Sequence, residues 1–155
     1  MSAFFERFFG DFLQSREYQE ITLSNPLDMH LHLRQGAMLE SVLPFSARDF
    51  ALGVVMPNLN PPIMTTALAL QYRDEIVRLS KGLDFVPFMT LYLHENLDKG
   101  ELTHAYAQGI RILKLYPRGA TTGSENGVRE VVSERILEIL HIAQDLGFML
   151  SIHGE

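Results

Sequence analysis

The sequence predicts an α/β fold, a parallel sheet of about five βα units that forms part of a (β/α)8 barrel. Three observations lead to this fold class. Apolar runs of strand length recur about every thirty residues, mostly with a helical pattern between them. Unusual polar residues fall late in these runs, and in a barrel the chemistry gathers at the carboxyl ends of the strands. No glycine-rich phosphate-binding fingerprint follows any run, which argues against a dinucleotide-binding sheet.

Composition limits the class of protein before any motif is considered. With 155 residues, of which 46% are hydrophobic and 21% charged, the chain has room for one ordinary globular domain. The net charge of −6 and the lack of a long basic run argue against a nucleic-acid partner, and no apolar stretch is long enough to span a membrane. Cysteine is absent, which excludes disulfides and thiolate metal sites. We expect a cytoplasmic protein.

The predicted strands and helices alternate along the barrel segment, residues 21–155. Strands are expected at residues 21–33, 50–56, 84–93, 110–116 and 148–153. Helices are expected at residues 65–80, 98–108 and 133–146, beginning at Thr65 or Thr66, at Asn96 or Asp98, and at Ser133. Gly109 and Gly147 are expected to end the last two helices. Five strands make a little over half a barrel, because a complete one needs at least about 200 residues.

Three segments lie outside this alternation. Residues 38–44 are predicted to be a short irregular link. Residues 118–127 are rich in Gly, Thr, Ser and Asn, which is typical of a mobile loop. Residues 1–20 are predicted to form an amphipathic helical extension, because aromatic residues recur at helical spacing between charged ones. We expect that helix to pack on the domain or on a neighbouring subunit. In the second case the protein would be a homo-oligomer.

The polar residues of the first predicted strand form the first candidate site. In a strand the side chains of His30 and His32 point to the same face, and their Cα atoms lie roughly 6.6 Å apart. Two imidazoles at this spacing can converge on one metal ion. The alternative is a hydrogen-bonded histidine pair in a polar patch, and the His-x-His pattern alone does not decide between them.

Further polar residues fall at the ends of other predicted strands. Lys114 lies between two leucines in a strand that is expected to be buried. Burying an ammonium there is costly and would lower the pKa of the lysine unless a partner stabilises the charge. The alternative is that the head of the lysine reaches solvent at the end of the strand. His153 ends the fifth strand, Arg34 offers a fork suited to a carboxylate, and Asn58 follows a proline. Each residue alone could be structural. Their joint placement at strand ends favours a common site.

Five segments together carry a resemblance to a known family. They are Asp-Met-His-Leu-His-Leu-Arg at 28–34, Val-Met-Pro-Asn-Leu-Asn-Pro-Pro at 55–62, Lys-Leu-Tyr-Pro at 114–117, Ala-Thr-Thr at 120–122 and Ile-His-Gly-Glu at 152–155. In this order and spacing they resemble dihydroorotase, specifically the N-terminal part of the shorter, single-function bacterial type within the amidohydrolase superfamily. The resemblance covers residues 21–155. It implies that the barrel is that of a metal-dependent hydrolase.

The resemblance also implies a metal centre. His30 and His32 would bind one zinc ion and His153 a second one. Lys114 would be carbamylated by carbon dioxide, and the resulting anion would bridge both ions. This assignment answers the problem of a buried ammonium, because the ammonium would be replaced by a metal-bound carbamate.

The resemblance further implies a substrate and a reaction. Arg34 and Asn58 would hold the carboxylate of dihydroorotate, while Thr121 and Thr122 would sit on a loop that closes over it. The ring amide would be hydrolysed to N-carbamoyl-aspartate, and the reverse direction serves de novo pyrimidine synthesis. Zinc lowers the pKa of bound water toward about 7, which provides the nucleophile at neutral pH.

Two residues that the family uses in its active site have no match in this sequence. The family uses a further histidine ligand and an aspartate as general base, and both are expected beyond Glu155. His94, His104 and His141 do not match these motifs and are predicted to be structural or solvent-facing. We therefore expect no catalytic residue within this chain, which alone would be inactive and prone to aggregation. The rest of the barrel would come from a longer precursor or a second chain, unless self-association covers the open edge.

Three other functions compete with this interpretation. A catalytically dead scaffold or partner subunit would have no need of the four metal-binding residues, and it would contain no zinc. A relative acting on a hydantoin or dihydropyrimidine would accept an uncharged ring, whereas Arg34 and Asn58 favour an acidic substrate. A metal-dependent phosphoesterase also uses His-x-His on a first barrel strand, but it offers no role for Lys-Leu-Tyr-Pro at 114–117.

Overall fold

The fold is that of a computed structural model, which describes residues 22–154. The elements, in chain order, are β1 (Leu27–Leu31), α1 (Gly36–Asp49), β2 (Leu52–Val55), α2 (Thr66–Leu79), β3 (Val86–Tyr92), α3 (Lys99–Ala107), β4 (Ile112–Leu115), α4 (Glu134–Leu146) and β5 (Met149–Ile152). The helix predicted within residues 1–20 lies outside the described residues. Within the described part, no helix combines the length and apolar character needed to cross a membrane.

The five strands form one parallel sheet whose spatial order is the chain order, β1 to β5. A helix follows each of the first four strands, so the sheet curls as part of a (β/α)8 barrel, which confirms the predicted fold class. In the register, Tyr92 lies opposite Lys114, and Lys114 lies opposite Ser151. The carboxyl ends of all strands therefore meet at one edge, where the predicted site residues fall.

Helix boundaries follow the predicted capping residues closely. Thr65, Asp98 and Ser133 each accept a hydrogen bond from the backbone N–H three residues further on, which satisfies a donor that the first helical turn leaves open. Gly109 and Gly147 adopt the left-handed conformation just after α3 and α4, with φ of 87° and 85°. Local sequence chemistry therefore determines where these helices start and stop.

The prediction for residues 38–44 is wrong, because this segment lies inside the helix α1 (Gly36–Asp49). Pro44 removes one backbone donor from the helix and argues against a helix on sequence grounds. Leu39, Leu43 and Ala47 are nevertheless spaced four residues apart and are all buried. Burial of this stripe against the sheet outweighs the lost hydrogen bond.

The first strand is shorter than predicted. It covers Leu27–Leu31, so His32 and Arg34 lie beyond its end rather than within it. Asn25 before the strand and Arg34 after it both have positive φ values, 52° and 62°, which no extended strand accommodates. The alternation of buried and exposed residues continues past the strand, since Leu31 and Leu33 are buried while His32 and Arg34 are exposed.

Apolar residues pack on both sides of the sheet. The larger cluster lies between the sheet and the helices, and a smaller one of Val54, Met56 and Ile112 is separate from it. At the last strand, Met149 and Ile152 are 55% and 58% exposed. This agrees with the expected exposure of the fifth strand, whose outer edge pairs with no other strand of the described chain.

Gly109 provides a test of the capping interpretation. Its φ of 87° disfavours any side chain, although a Cβ atom there would meet nothing within 4 Å. We expect Gly109→Ala to lower the free energy of unfolding by about 1 kcal/mol, because only backbone strain changes. Gly109→Asn should lose less, since asparagine tolerates this conformation better. Chemical denaturation measures both, and equal losses for the two variants would contradict backbone strain as the cause.

Candidate functional site

The site is built around two histidines at the end of β1. The Nε2 atoms of His30 and His32 lie 3.1 Å apart, and the ring centroids are 5.0 Å apart. Two nitrogens bound to one tetrahedral zinc ion at 2.0–2.1 Å would be separated by roughly 3.3–3.4 Å. The same distance allows a hydrogen bond between the two rings, so it fits both a shared metal ion and a hydrogen-bonded histidine pair.

Lys114 lies inside the curl of the sheet, on β4, and is 0% exposed. Its Nζ donates a hydrogen bond to Ser151 Oγ at 3.4 Å and lies 5.2 Å from the centre of the Tyr116 ring. Among the ion pairs of residues 22–154, none involves Lys114. Burial lowers the pKa of the Lys114 amine, which favours its neutral form. The alternative in which the head of this lysine reaches solvent is wrong.

The third predicted histidine ligand approaches from the last strand. His153 follows β5, and its backbone N–H donates to Leu115 O at 2.9 Å. Its ring centroid lies 5.7 Å from that of Tyr116. The pKa of His30 is lowered by burial first and then by Lys114 and His153, while Asp28 opposes the shift.

His30, Lys114 and His153 are close enough to interact electrostatically, which places them at the same end of the sheet, near the carboxyl ends of the strands. The pKa of His32 is also lowered, by burial first and then by the charges of His30, Arg34 and Lys114, whereas a hydrogen bond with Asn58 raises it. In residues 22–154, no three His, Asp or Glu side chains are grouped so that they could hold a metal ion by themselves. Binding of a metal here stays a prediction, and it requires the lysine as a ligand.

A pocket of about 510 Å³ lies among the loops that follow β1, β2 and β4, and none of the four predicted metal ligands lines it. Arg34, Asn58 and Thr122 line it, as the predicted substrate site requires. Asn58 is 8% exposed, and its Nδ2 donates to Thr122 O at 3.2 Å, which ties the loop after β2 to the loop after β4. Thr121 does not line the pocket. Its N–H and carbonyl instead form a turn with Ser124.

Several residues around the site were not singled out from the sequence. Gln35, Glu125 and Asn126 line the pocket together with the predicted residues. The hydroxyl of Tyr92 donates to Gly123 O at 3.3 Å, and burial together with Glu125 raises the pKa of Tyr92 to about 12, so this donor stays protonated. Ser151 lies two residues before His153, so a period-two reading of β5 could have placed it on the same face.

The three remaining histidines lie outside the site. His94 is hydrogen-bonded to Met64 O through Nε2 and to the N–H of Asn96 through Nδ1, each at 3.2 Å. His104 and His141 are exposed residues of α3 and α4. The prediction that they are structural or solvent-facing agrees with these positions.

The chain is part of a (β/α)8 barrel, with histidines and a buried lysine at the carboxyl ends of its strands. A comparison with models of protein families finds no match. Individual relatives do match. The chain is 57% identical over 137 residues to the dihydroorotase of Helicobacter hepaticus and 48% identical over 139 residues to that of Ruegeria pomeroyi.

Solved structures give the same result. A dihydroorotase from Campylobacter jejuni aligns with 84% of this chain at 44% identity and a TM-score of 0.80. The dihydroorotase of Saccharomyces cerevisiae, in complex with 5-fluoroorotic acid, aligns with 89% at 35% identity and the same TM-score. The chain is therefore related to the dihydroorotases and matches the N-terminal part of that family. It spans about 40% of the length of these curated relatives and 38% of the two solved chains.

The burial of Lys114 generates a stability prediction. We expect Lys114→Met to raise the free energy of unfolding of the metal-free chain at pH 7 by about 1–3 kcal/mol, because a buried charge without an ionic partner is removed. The folded-state pKa is lowered, so the unfolded state binds more protons and the wild type gains stability as the pH rises toward 10.5. The advantage of the variant should shrink over that range.

Urea denaturation between pH 7 and pH 10 in the presence of a chelator measures this effect. Lys81→Met, at an exposed lysine after α2, is the matched control and should show neither the gain nor its pH dependence. A lower free energy of unfolding in Lys114→Met than in the wild type would show that the buried ammonium does not destabilise the fold.

Proposed function

We propose that this chain forms the N-terminal part of a dihydroorotase, which reversibly hydrolyses dihydroorotate to N-carbamoyl-aspartate in de novo pyrimidine synthesis. One observation carries the proposal. Asn58, which lines the pocket together with Arg34, is hydrogen-bonded to His32, one of the two paired histidines. The dihydroorotases among the related proteins support it. A cytoplasmic location is part of the same proposal.

In this proposal the protein would hold a zinc centre of two ions. His30 and His32 would hold one ion and His153 the other, with carbamylated Lys114 between them. Carbamylation needs a neutral amine, whose nitrogen bonds to the carbon of CO2 and then releases a proton. The lowered pKa of Lys114 supplies that amine. When bound, zinc would lower the pKa of a water molecule toward about 7 and polarise the amide carbonyl.

The pocket residues would recognise the anionic part of the substrate. The guanidinium of Arg34 can donate two parallel hydrogen bonds to a carboxylate, and Asn58 can add a third from its amide. Thr121 and Thr122 would belong to a loop that closes over the ring. The yeast relative, whose structure contains 5-fluoroorotic acid, is consistent with an acidic pyrimidine as ligand. Arg34 and Asn58 would orient the ring so that its amide faces the metal ligands.

In this proposal the residues of the active site are divided between this chain and the part of the family that the chain does not match. The general base and a further histidine ligand would come from the part of the family that lies outside the matched region, so no catalytic base is assigned within these 155 residues. We expect the isolated chain to show no turnover. Co-expression with the unmatched C-terminal part of the Helicobacter hepaticus dihydroorotase would give a reconstituted barrel, which should be active.

Metal content is the first test of the reconstituted barrel. Plasma mass spectrometry should find about two zinc ions per barrel, since the proposed ligand set serves two sites. Lys114→Ala should reduce this content by half or more, because the shared ligand is lost. The matched control is Lys81→Ala, which should retain the full content. A metal-free wild type would contradict the zinc centre and favour a catalytically inactive scaffold.

Substrate charge is the second test. Arg34→Gln in the reconstituted barrel should raise KM for dihydroorotate by about 10- to 100-fold, because a charge-assisted hydrogen bond is lost. Arg48→Gln removes the same charge at an exposed position at the C-terminal end of α1 and should leave KM unchanged. Turnover of the uncharged ring dihydrouracil at a rate similar to that of dihydroorotate would instead indicate a cyclic amidohydrolase of different specificity.

A further inference from the structure

The backbone of Arg34 takes a conformation that most residues avoid. Its φ of 62° is left-handed, a conformation that is strained for a non-glycine residue. Arg34 follows the buried Leu33 and precedes Gln35, the residue that caps α1. The chain therefore turns sharply between β1 and α1 at Arg34. The direction in which the guanidinium leaves the backbone depends on this turn.

A tyrosine from another helix holds this turn. The hydroxyl of Tyr72, on α2, donates to Arg34 O at 2.5 Å, although the two residues are 38 positions apart. Tyr72 is 5% exposed, so its ring is anchored in the core between the sheet and the helices. Burial, and after it Glu75, raises the pKa of Tyr72. The hydroxyl therefore stays protonated and remains a donor throughout the physiological pH range.

A second contact fixes the residue that follows. Gln35 Oε1 accepts a hydrogen bond from Asn60 N at 3.1 Å, and this joins the turn at Arg34 to the loop after β2. Asn58, in that loop, in turn holds the carbonyl of Thr122. The contacts of Tyr72 and Gln35 therefore place Arg34 on a wall that also carries Asn58 and Thr122.

The hydroxyl of Tyr72 lies behind this wall. Gln35 and Tyr72 line a second pocket of about 250 Å³, and Arg34 and Asn58 are not among its lining residues. Tyr72 is likewise absent from the lining of the pocket that contains Arg34. Its hydroxyl does not line that pocket, and its hydrogen bond to Arg34 O connects it to the backbone of a residue that does.

We propose that Tyr72 is a positioning residue for the anion-binding arginine, since its hydroxyl holds the left-handed turn that aims the Arg34 guanidinium into the pocket. This inference rests on the proposed function, in which Arg34 binds the substrate carboxylate. It assigns a specificity role to a core residue that does not touch the substrate. The aromatic ring of Tyr72 packs in the core, and only its hydroxyl carries this role.

Tyr72→Phe separates these two parts, because it removes the hydroxyl and keeps the ring. In the reconstituted barrel, KM for dihydroorotate should rise about 3- to 10-fold, as expected for the loss of one hydrogen bond that orients a binding group. The value of kcat should change by less than about twofold, since nothing at the reacting amide is altered. Tyr106→Phe, at a partly buried tyrosine of α3, is the matched control and should change neither constant.

A double variant tests whether Tyr72 acts through Arg34. In an Arg34→Gln background, Tyr72→Phe should have no further effect on KM, because the group that it positions is gone. If Tyr72→Phe raises KM equally in both backgrounds, or lowers kcat alone, or leaves both constants unchanged, the positioning role is wrong. If Arg34→Gln leaves KM unchanged, the proposed function has failed at its substrate site, whatever Tyr72 does.

A second measurement needs no activity. With this chain isotopically labelled in the reconstituted barrel, the amide-to-α-proton coupling and the carbon shifts of Arg34 report its φ by nuclear magnetic resonance. Tyr72→Phe should move these signals away from left-handed values, while Tyr106→Phe should not. Unchanged Arg34 signals in Tyr72→Phe would overturn the inference even if the barrel proves to be a dihydroorotase.

Discussion

The burial of Lys114 is the constraint on which the arrangement of the site depends. Neighbouring residues of β4 pack against the helices, so the alternation of a strand directs Lys114 into the curl of the sheet. There its amine is inaccessible to solvent, and burial lowers the pKa of that amine. Burial of Lys114 destabilises the fold, but it also favours the neutral form of the amine, which is the form that the proposed carbamylation needs.

The parallel register of the strands determines which residues lie beside Lys114. Lys114 lies between Tyr92 and Ser151 on the adjoining strands, and its Nζ donates a hydrogen bond to Ser151 Oγ. The loops beyond these ends are joined by hydrogen bonds, from Asn58 to the carbonyl of Thr122 and from the Asn60 N–H to Gln35. Separate connections between strands and helices thereby form one continuous pocket wall, supported from behind by α2.

Much of the fold could be predicted because its signals are local. Thr65, Asp98 and Ser133 mark helix starts by a side-chain hydrogen bond that spans three residues, and the strands are apolar runs. The two errors have local causes as well. Pro44 argued against the helix α1, but burial of one face of that helix outweighs the lost hydrogen bond. The hydrophobic pattern predicted a first strand that continues to residue 33, whereas the chain leaves the extended conformation and has a positive φ at Arg34.

Local patterns in the amino-acid sequence were enough to predict all five strands, three of the four helices, the strand ends at which polar residues fall, and the resemblance to dihydroorotase. Tertiary structure alone decided that Lys114 is inaccessible, that Thr122 rather than Thr121 lines the pocket, and that Tyr72 holds Arg34. The physical reason is that periodicity specifies which face of its own element a residue occupies. Which groups meet across elements depends on how the helices pack on the sheet.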